Sequence, residues 1–258
     1  MSSRLPGTPS MFALDDTVAL VTGASSGLGE AVARTLAEAG ARVAVAARRE
    51  ERLEPLAKEI NGAAFGCDLL DLDQVDALVP RVVETLGPPT ILVNGAGAVA
   101  HADGAEHESI EAIQSTLDLN LIAPFRLSQA AFPHMVDARR GRIVHISSIS
   151  SKVGIPGIPQ ASYAASKAGL SGLTTELAVQ WARHGITVNT VAPGFFRSEI
   201  TESLFDEERG RQWLRRNTPL DIEATADDIV GAVLWLVSQA GRYVTGQTIM
   251  VDGGWTAR

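Results

Sequence analysis

The chain has 258 residues, of which 45% are hydrophobic and 20% are charged, and its formal net charge is −8. This length suits one large α/β domain, and the acidic balance argues against a nucleic acid or an anionic membrane as the main partner. Cys67 is the single cysteine, so no intrachain disulfide can form and we expect a cytoplasmic protein.

The first ten residues, MSSRLPGTPS, have no apolar run behind them and do not resemble a secretory signal. We predict a flexible tail over residues 1–13 and a single domain over residues 14–258. The longest apolar run, IVGAVLWLV from Ile229, is less than half of the roughly 20 residues that span a bilayer. It predicts a buried helix.

Seven short apolar segments rich in strand-forming residues recur along the chain, separated by longer stretches with helical spacing of apolar residues. The predicted strands are TVALVTG, RVAVAA, AAFGCD, TILVNGAG, GRIVHISS, GITVNTVAPG and GQTIMVDGG. Apolar strands that alternate with helices are typical of a parallel sheet covered on both faces. The predicted fold class is therefore α/β, with a doubly wound parallel sheet of about seven strands. Ligands of such sheets bind at the carboxyl ends of the strands.

A glycine-rich segment, TGASSGLG, follows the first predicted strand and opens a helical stretch. Gly23, Gly27 and Gly29 would let the backbone turn sharply and approach a pyrophosphate at the amino end of that helix. A tight turn without a ligand is the alternative. The position at the first strand-to-helix turn favours a dinucleotide.

The residues after the second strand bear on the choice of dinucleotide. An NAD-binding unit carries a carboxylate there for the ribose 2′-hydroxyl, but this strand ends in two alanines. Arg48 and Arg49 follow, and their charge and fork of donors suit the 2′-phosphate of NADP. The sequence thus favours NADP(H) over NAD(H), the alternative being surface arginines paired with Glu50 or Glu51. After the third strand, Asp68 could accept from an adenine amino group or cap the next helix.

Tyr163 and Lys167 lie four residues apart in YAASK, so they share one face if the segment is helical. Taken alone, this pair is more typical of a solvated helix face than of a site. Its function therefore depends on the other motifs of the chain.

Five motifs occur in a characteristic order from about Leu14 to the end of the chain. They are TGASSGLG, NGAG, the SS that ends the fifth strand, YAASK, and APG after the sixth strand. Together they resemble the short-chain dehydrogenase/reductase family. The resemblance implies a Rossmann-type fold, a nicotinamide cofactor, interconversion of a ketone and a secondary alcohol, and a homotetramer. That reaction needs no metal, and none of the five histidines lies in a metal-ligand spacing.

The resemblance implies catalytic roles for four residues. Tyr163 is similar to the general acid/base of the family, and Lys167 to the residue that favours its phenolate and holds the nicotinamide ribose. Ser148 resembles the residue that orients the substrate oxygen. Asn120 resembles the helix-breaking asparagine whose backbone carbonyl positions a water on Lys167. Ser150 is an alternative to Ser148, which is preferred because it ends the strand.

The resemblance also implies cofactor contacts at the ends of several strands. The predicted cofactor-binding residues are Gly23, Ser25, Ser26, Gly27, Leu28, Gly29, Arg48, Arg49, Asp68, Leu69, Asn94, Ala96, Gly97, Tyr163, Lys167, Pro193, Gly194, Phe196 and Ser198. Phe196 would contribute its backbone amide to the nicotinamide, and Ser198 a hydroxyl where the family often has threonine. The chain departs from the family pattern at Gly95, where a second asparagine usually follows Asn94.

The substrate is expected to be a free small or medium-sized ketone, held by loops after the fourth, fifth and sixth strands. The expected pocket residues are Ile155, Ile158, Phe195, Phe196, Leu204 and Trp213. One alternative is a reductase of 3-oxoacyl chains on acyl carrier protein or coenzyme A. Carrier reductases of the family meet the acidic carrier with two arginines, whereas this chain has Arg139 and His184 at those positions. The other alternative, a nucleotide-binding regulatory protein, has no need of all four catalytic residues.

Overall fold

A computed structural model describes residues 8–99, 104–197 and 201–257 of the chain. Seven strands in these ranges form one parallel sheet in the order β3-β2-β1-β4-β5-β6-β7. The strands are β1 (Val18–Thr22), β2 (Arg42–Ala47), β3 (Ala63–Gly66), β4 (Ile91–Asn94), β5 (Gly141–Ile146), β6 (Ile186–Pro193) and β7 (Thr248–Val251). All seven predicted strands are confirmed, as is the doubly wound α/β class.

The described ranges contain ten α-helices, nine of which lie between strands. They are α1 (Thr8–Phe12), α2 (Gly27–Glu38), α3 (Glu54–Glu59), α4 (Leu72–Leu86), α5 (Ile110–Leu117), α6 (Ala123–Asp137), α7 (Ala161–Trp181), α8 (Glu202–Asp206), α9 (Glu208–Asn217) and α10 (Asp227–Val237). This count covers the described ranges. No helix there is long and apolar enough to cross a membrane.

Two cores cover the two faces of the sheet. One contains Leu36 of α2 and Ile229 of α10 against β1 and β4, which confirms the helix predicted at Ile229. The other contains Val79 of α4, Leu127 of α6 and Leu177 of α7. Every residue of β5 and β6 is buried, because helices pack on both sides of these strands.

The strand order reverses between β1 and β4, which are neighbours in the sheet although two strands separate them in sequence. The loops after β1 and β4 therefore leave the sheet in different directions and open a crevice at the carboxyl edge. The glycine-rich segment and the loop that follows Asn94 both begin at this point, so the fold places them together.

One sequence prediction needs correction. The cap of α4 is Asp71, whose carboxylate accepts from the backbone N–H groups of Asp73 and Gln74 at 3.0 and 3.3 Å. The prediction that Asp68 caps this helix is therefore wrong, and the Asp68 carboxylate accepts from the N–H of Leu70 at 3.1 Å. The short helix α1 lies in the predicted tail, and Leu14, at the start of the predicted domain, is fully buried.

Candidate active site

The turn after β1 presents an uncapped helix end. Ser26 precedes α2 in an extended conformation and makes no side-chain capping bond within the described ranges, so the first amides of α2 remain available for a ligand. Gly27 has φ of +60°, and a Cβ built there would meet no described atom within 4 Å. The open space at the amino end of a twelve-residue helix fits a pyrophosphate.

The loops after β2 and β3 lie beside this turn because the sheet order is β3-β2-β1. Arg48 is exposed and Arg49 is partly buried, directly after β2. Asp68 is partly buried and Leu69 is buried, shortly after β3. This arrangement suits the adenosine half of a dinucleotide, with arginines where a 2′-phosphate would lie. Ser198 lies outside the described residues.

Lys167 lies in a closed environment on α7. Its side chain is 3% exposed, and Nζ donates to the carbonyl of Ile146 at 2.9 Å, at the end of β5. Nζ also lies 5.7 Å from the centre of the Tyr163 ring, as their spacing on one helix face predicts. Burial lowers the pKa of Lys167 to about 8.

Tyr163 and Ser148 meet across the loop that joins β5 to α7. Burial raises the pKa of the Tyr163 phenol, and a hydrogen bond with the Ser148 side chain opposes that shift. In this structure, burial therefore dominates the pKa of Tyr163. Ser150 lies behind Ser148, with its backbone N–H donating to Ser148 Oγ at 3.1 Å. Between the two serines, the geometry supports Ser148 as the one that faces the tyrosine.

Asn120 lies in a π-helical turn, Asp118–Ile122, that separates α5 from α6. The asparagine is fully buried, and its Oδ1 accepts from the N–H of Ala98 at 3.1 Å. Its Nδ2 donates to the carbonyl of Ala98 at 3.0 Å and to Ser166 Oγ at 3.1 Å. The side chain thus ties the loop after β4 to α7, one residue from Lys167.

Gly97 allows this loop to approach the lysine. A Cβ at this position would lie 2.8 Å from Lys167 Nζ and 3.2 Å from Asn120 Oδ1. The first distance is shorter than Cβ atoms show in proteins, and the second is shorter than most Cβ contacts. Two residues earlier, the N–H of Gly95 donates to Thr22 Oγ1 at 3.2 Å, so the loop begins in contact with β1. The glycine loop and the Tyr163–Lys167 pair therefore belong to one crevice.

The sequence prediction missed His145 and its buried contact with Asn94, which was predicted only as a cofactor-binding residue. The Asn94 Nδ2 donates to His145 Nδ1 at 3.1 Å, and both side chains are at most 1% exposed. His145 Nε2 has no hydrogen-bond partner among the described residues. Burial, and then the charge of Lys167, lower the pKa of His145 to about 3, so the ring is neutral. Because Nδ2 contacts the neighbouring strand, Asn94 has Oδ1 and its backbone left for other partners.

The loops expected to hold the substrate form a small aromatic cluster. The ring centres of Phe195, Trp213 and Trp255 lie 5.0 to 5.3 Å apart. Trp255 was not predicted, because it comes from the carboxyl-terminal end of the chain. Phe196 was wrongly expected in the pocket: its side chain is 5% exposed and packs in the core with Ile229.

Residues 23–256 of the chain match a family model described as Enoyl-(Acyl carrier protein) reductase. The crystal structure of a short-chain type dehydrogenase/reductase from Mycobacterium marinum superposes with a TM-score of 0.90. That match has 35% sequence identity and covers 96% of this chain and 99% of the other. The chain belongs to the short-chain dehydrogenase/reductase family. It is an oxidoreductase of that family, as the sequence motifs predict.

Relatives of this short-chain dehydrogenase/reductase carry different functional names. Gluconate 5-dehydrogenase of Gluconobacter oxydans (strain 621H) is 37% identical over 253 residues, covering 96% of this chain and 98% of that protein. The 3-oxoacyl-[acyl-carrier-protein] reductase FabG of Rickettsia conorii (strain ATCC VR-613 / Malish 7) is 39% identical over 247 residues, covering 95% and 98%. A gluconate 5-dehydrogenase from Burkholderia cenocepacia J2315, crystallised with NADP and tartrate, is 34% identical with a TM-score of 0.91, covering 97% and 99%.

Potential metal ligands are not grouped in the part of this short-chain dehydrogenase/reductase that the structure describes. Within residues 8–99, 104–197 and 201–257, no cluster of three or more His, Cys, Asp or Glu side chains could hold a metal ion. The polar groups of the crevice are instead hydroxyls, an amide and one amine, a set suited to moving a proton and binding a nucleotide.

Proposed function

We propose that this enzyme uses NADP(H) to interconvert a ketone and a secondary alcohol, with Tyr163 as general acid/base. The observation that carries the proposal is the convergence of Ser148, Tyr163 and Lys167 at the end of β5, beside the uncapped helix end at Gly27. When bound, NADP(H) supplies or accepts the hydride. The residues of the chain hold the nucleotide, orient the substrate oxygen and move the proton.

The nucleotide would be held along the carboxyl edge of the sheet. The first amides of α2 at Gly27 would hold the pyrophosphate, and Arg48 and Arg49 would hold the 2′-phosphate. Asp68 would accept from the adenine amino group. The Lys167 ammonium, which contacts the Ile146 carbonyl in this structure, would hold the nicotinamide ribose.

During reduction, Tyr163 donates its proton to the substrate oxygen while Ser148 holds that oxygen by a hydrogen bond. During oxidation, the phenolate takes the proton back. Because burial raises the pKa of Tyr163, the phenol is protonated at neutral pH, which suits the reductive direction. Asn120 keeps the loop after β4 against α7, so that the lysine is held near the tyrosine.

We infer that free small or medium-sized ketones are preferred over carrier-bound acyl chains. Arg139 is exposed with φ of +48°, but His184 occupies the second basic position of the carrier reductases and packs edge-on against Phe132. Arg183 Nε donates to His184 Nε2 at 3.1 Å, so a guanidinium does lie beside that position. This neighbour and the relative named FabG keep 3-oxoacyl-carrier reduction as the second candidate.

The test is NADPH oxidation against a panel of ketones, with Tyr163→Phe as the matched inactive variant. The panel contains ethyl acetoacetate, the 5-keto form of gluconate, a steroid ketone, and a 3-oxoacyl chain on acyl carrier protein. We expect turnover of a free ketone that the variant abolishes. A strong preference for the carrier substrate that weakens as salt rises would establish the second candidate, because charge attraction is screened by salt. Cofactor binding without turnover of any member would indicate a non-catalytic protein.

We further propose that the enzyme is a cytoplasmic homotetramer. Ile110 at the start of α5 and Val179 on α7 are 74% and 76% exposed, on two helices whose apolar residues lie on more than one face. Cys67 is buried, and burial raises the pKa of its thiol to about 11, which suits a reduced core residue. Light scattering at micromolar concentration should give four times the chain mass. A monomeric mass would refute the assembly.

A further inference from the structure

Three polar side chains follow one another behind the catalytic tyrosine: Ser148, Ser150 and Gln160, here named the serine–glutamine chain. The Oγ atoms of the two serines lie 3.2 Å apart, with heavy-atom angles that by themselves favour Ser148 as the donor to Ser150. Gln160 Nε2 donates to Ser150 Oγ at 2.8 Å, and Gln160 is the residue that immediately precedes α7. The serine–glutamine chain therefore runs from the amino end of α7 to Ser148, the serine that faces Tyr163.

The hydrogen bonds of the serine–glutamine chain have a preferred direction, set by which hydroxyl donates its proton to which. A serine hydroxyl has one proton and two lone pairs, and an amide nitrogen can only donate. Gln160 occupies one lone pair of Ser150 Oγ. If Ser148 filled the other, the proton of Ser150 would have no acceptor within the described part of the chain, and Ser150 is only 6% exposed. A buried donor without an acceptor is costly, so this order is disfavoured.

The opposite order satisfies every proton, and a hydroxyl proton can rotate to reach it. In this order, Ser150 would donate its hydroxyl proton to Ser148 Oγ, which also accepts the backbone N–H of Ser150 at 3.1 Å. Both lone pairs of Ser148 Oγ are then occupied, so the Ser148 hydroxyl can make a further hydrogen bond only by donating its proton. The Ser148 hydroxyl then donates toward Tyr163, where the substrate oxygen would lie.

We propose that Ser150 and Gln160 are positioning residues that fix Ser148 as a hydrogen-bond donor to the substrate oxygen and to the Tyr163 phenolate. This inference rests on the proposed function, in which Ser148 faces the substrate. It assigns to Ser150 a role distinct from that of a rival to Ser148. Gln160 acts one step further away, because its amide determines where the proton of Ser150 goes.

The proposal has a consequence for the ionisation of Tyr163. A hydrogen bond from Ser148 stabilises the phenolate and so opposes the effect of burial on its pKa. Without the Ser150 hydroxyl, Ser148 loses one of the donors that hold its proton toward the tyrosine. A carboxylate in place of Gln160 would accept the proton of Ser150, which then accepts from Ser148. Both changes should raise the pKa of Tyr163.

The polypeptide contains two tyrosines, so the ionisation of Tyr163 can be measured directly once the other is replaced. Tyr243 is 99% exposed, so Tyr243→Phe leaves Tyr163 as the single phenol without touching the site. In that background, the near-ultraviolet absorbance of the phenolate against pH reports the ionisation of Tyr163 in the full-length enzyme. The variants are Ser150→Ala, Gln160→Glu and both together. Ser151→Ala is the matched control, because its hydroxyl donates to the backbone carbonyl of Ser148 at 2.6 Å and not to its side chain.

We expect Ser150→Ala and Gln160→Glu to move the Tyr163 titration to higher pH, and Ser151→Ala to leave it at the wild-type position. Adding Gln160→Glu to Ser150→Ala should cause no further shift, because the glutamine acts through the serine. A further shift in the double variant would show that the new charge acts directly on Tyr163, and would overturn the role of Gln160. Titrations of Ser150→Ala and Ser151→Ala that coincide would overturn the role of Ser150.

Turnover provides the second readout. With ethyl acetoacetate and NADPH, Ser150→Ala should lower kcat about tenfold with less change in KM, since one hydrogen bond in the transition state is misdirected. In alcohol oxidation, the rise of kcat/KM with pH should move upward with the tyrosine titration. Because the titration needs no substrate, a wild type that reduces no ketone would refute the proposed function and still leave the serine–glutamine chain to be decided by absorbance.

Discussion

The two halves of the crevice are built from different parts of the polypeptide. Around α2, the structure offers backbone: free amides and a glycine in the left-handed region beside open space. Around α7, it offers side chains whose position depends on burial and on hydrogen bonds, as for Lys167 and Asn120. A backbone site is set once the fold forms, whereas a side-chain site also needs neighbours that hold each group. The catalytic half should therefore be the more sensitive to single substitutions.

The largest effect is expected for Tyr163→Phe, which removes the proton donor and leaves the nucleotide half unchanged. We expect kcat for ketone reduction to fall about 1,000-fold, within the usual range for a general acid. The dissociation constant of NADPH, followed by its fluorescence, should stay near the wild-type value. The control is Tyr243→Phe, an exposed position. Activity within tenfold of wild type would contradict the role of Tyr163.

The next largest effect is expected for Lys167→Met, because Lys167 lies between the nucleotide half and the catalytic half of the crevice. Removing the ammonium takes a ligand from the nicotinamide ribose and a positive charge from beside Tyr163, so both turnover and NADPH affinity should fall. A charged hydrogen bond of about 1.5–3 kcal/mol corresponds to a roughly 10- to 100-fold weaker affinity. Lys58→Met, on the exposed side of α3, is the control. An unchanged NADPH affinity would rule out the double role.

A smaller effect, confined to the nucleotide half, is expected for Arg48→Asp. The substitution removes a partner of the 2′-phosphate and adds an acceptor for a ribose hydroxyl, so preference should move toward NADH by about 10- to 100-fold in kcat/KM. Arg242→Asp makes the same charge change at an exposed position away from the site. If the wild type already prefers NADH, the assignment of the arginine is wrong.

The backbone half is tested by Gly27→Ala. The new Cβ would enter the open space at the amino end of α2 and strain a residue with φ of +60°. We expect KM for NADPH to rise about tenfold, with strain of about 1–2 kcal/mol as part of the cause. Gly246→Ala, with φ of +73° and an ordinary contact to Ala178, carries similar strain without the cofactor. Equal KM values for the two variants would indicate strain alone.

The smallest effect concerns stability and the buried His145. Its folded-state pKa of about 3 lies below the ordinary 6.5, so below pH 6.5 the unfolded chain binds a proton that the folded chain does not. Stability therefore falls as pH falls, by about 1.4 kcal/mol at pH 5.5 from this residue. His145→Gln should lose that part of the dependence between pH 7.5 and 5.5 in urea unfolding. His107→Gln, at an exposed histidine, should keep it.

The sequence predicted the sheet because strand residues buried on both faces are apolar throughout, a local property that a chain shows without its partners. It also predicted that Tyr163 and Lys167 lie close together, because residues four apart on a helix share one face. The Asn94–His145 pair could not be predicted, because it depends on the lateral register of β4 and β5. Gln160 escaped for a related reason: its contact with Ser150 depends on the path of a ten-residue loop.

The π-helical turn at Asp118–Ile122 holds one residue more than regular helical geometry would use. Deleting one residue there would let α5 and α6 merge into a continuous helix, with regular hydrogen bonds throughout. Asn120 would then rotate about a quarter of a turn away from Ala98 and Ser166, since successive residues of an α-helix differ by about 100°. A deletion that makes this helix regular would therefore also remove the contacts of Asn120 with Ala98 and Ser166. Efforts to raise the heat tolerance of the protein should leave the π-helical turn unchanged.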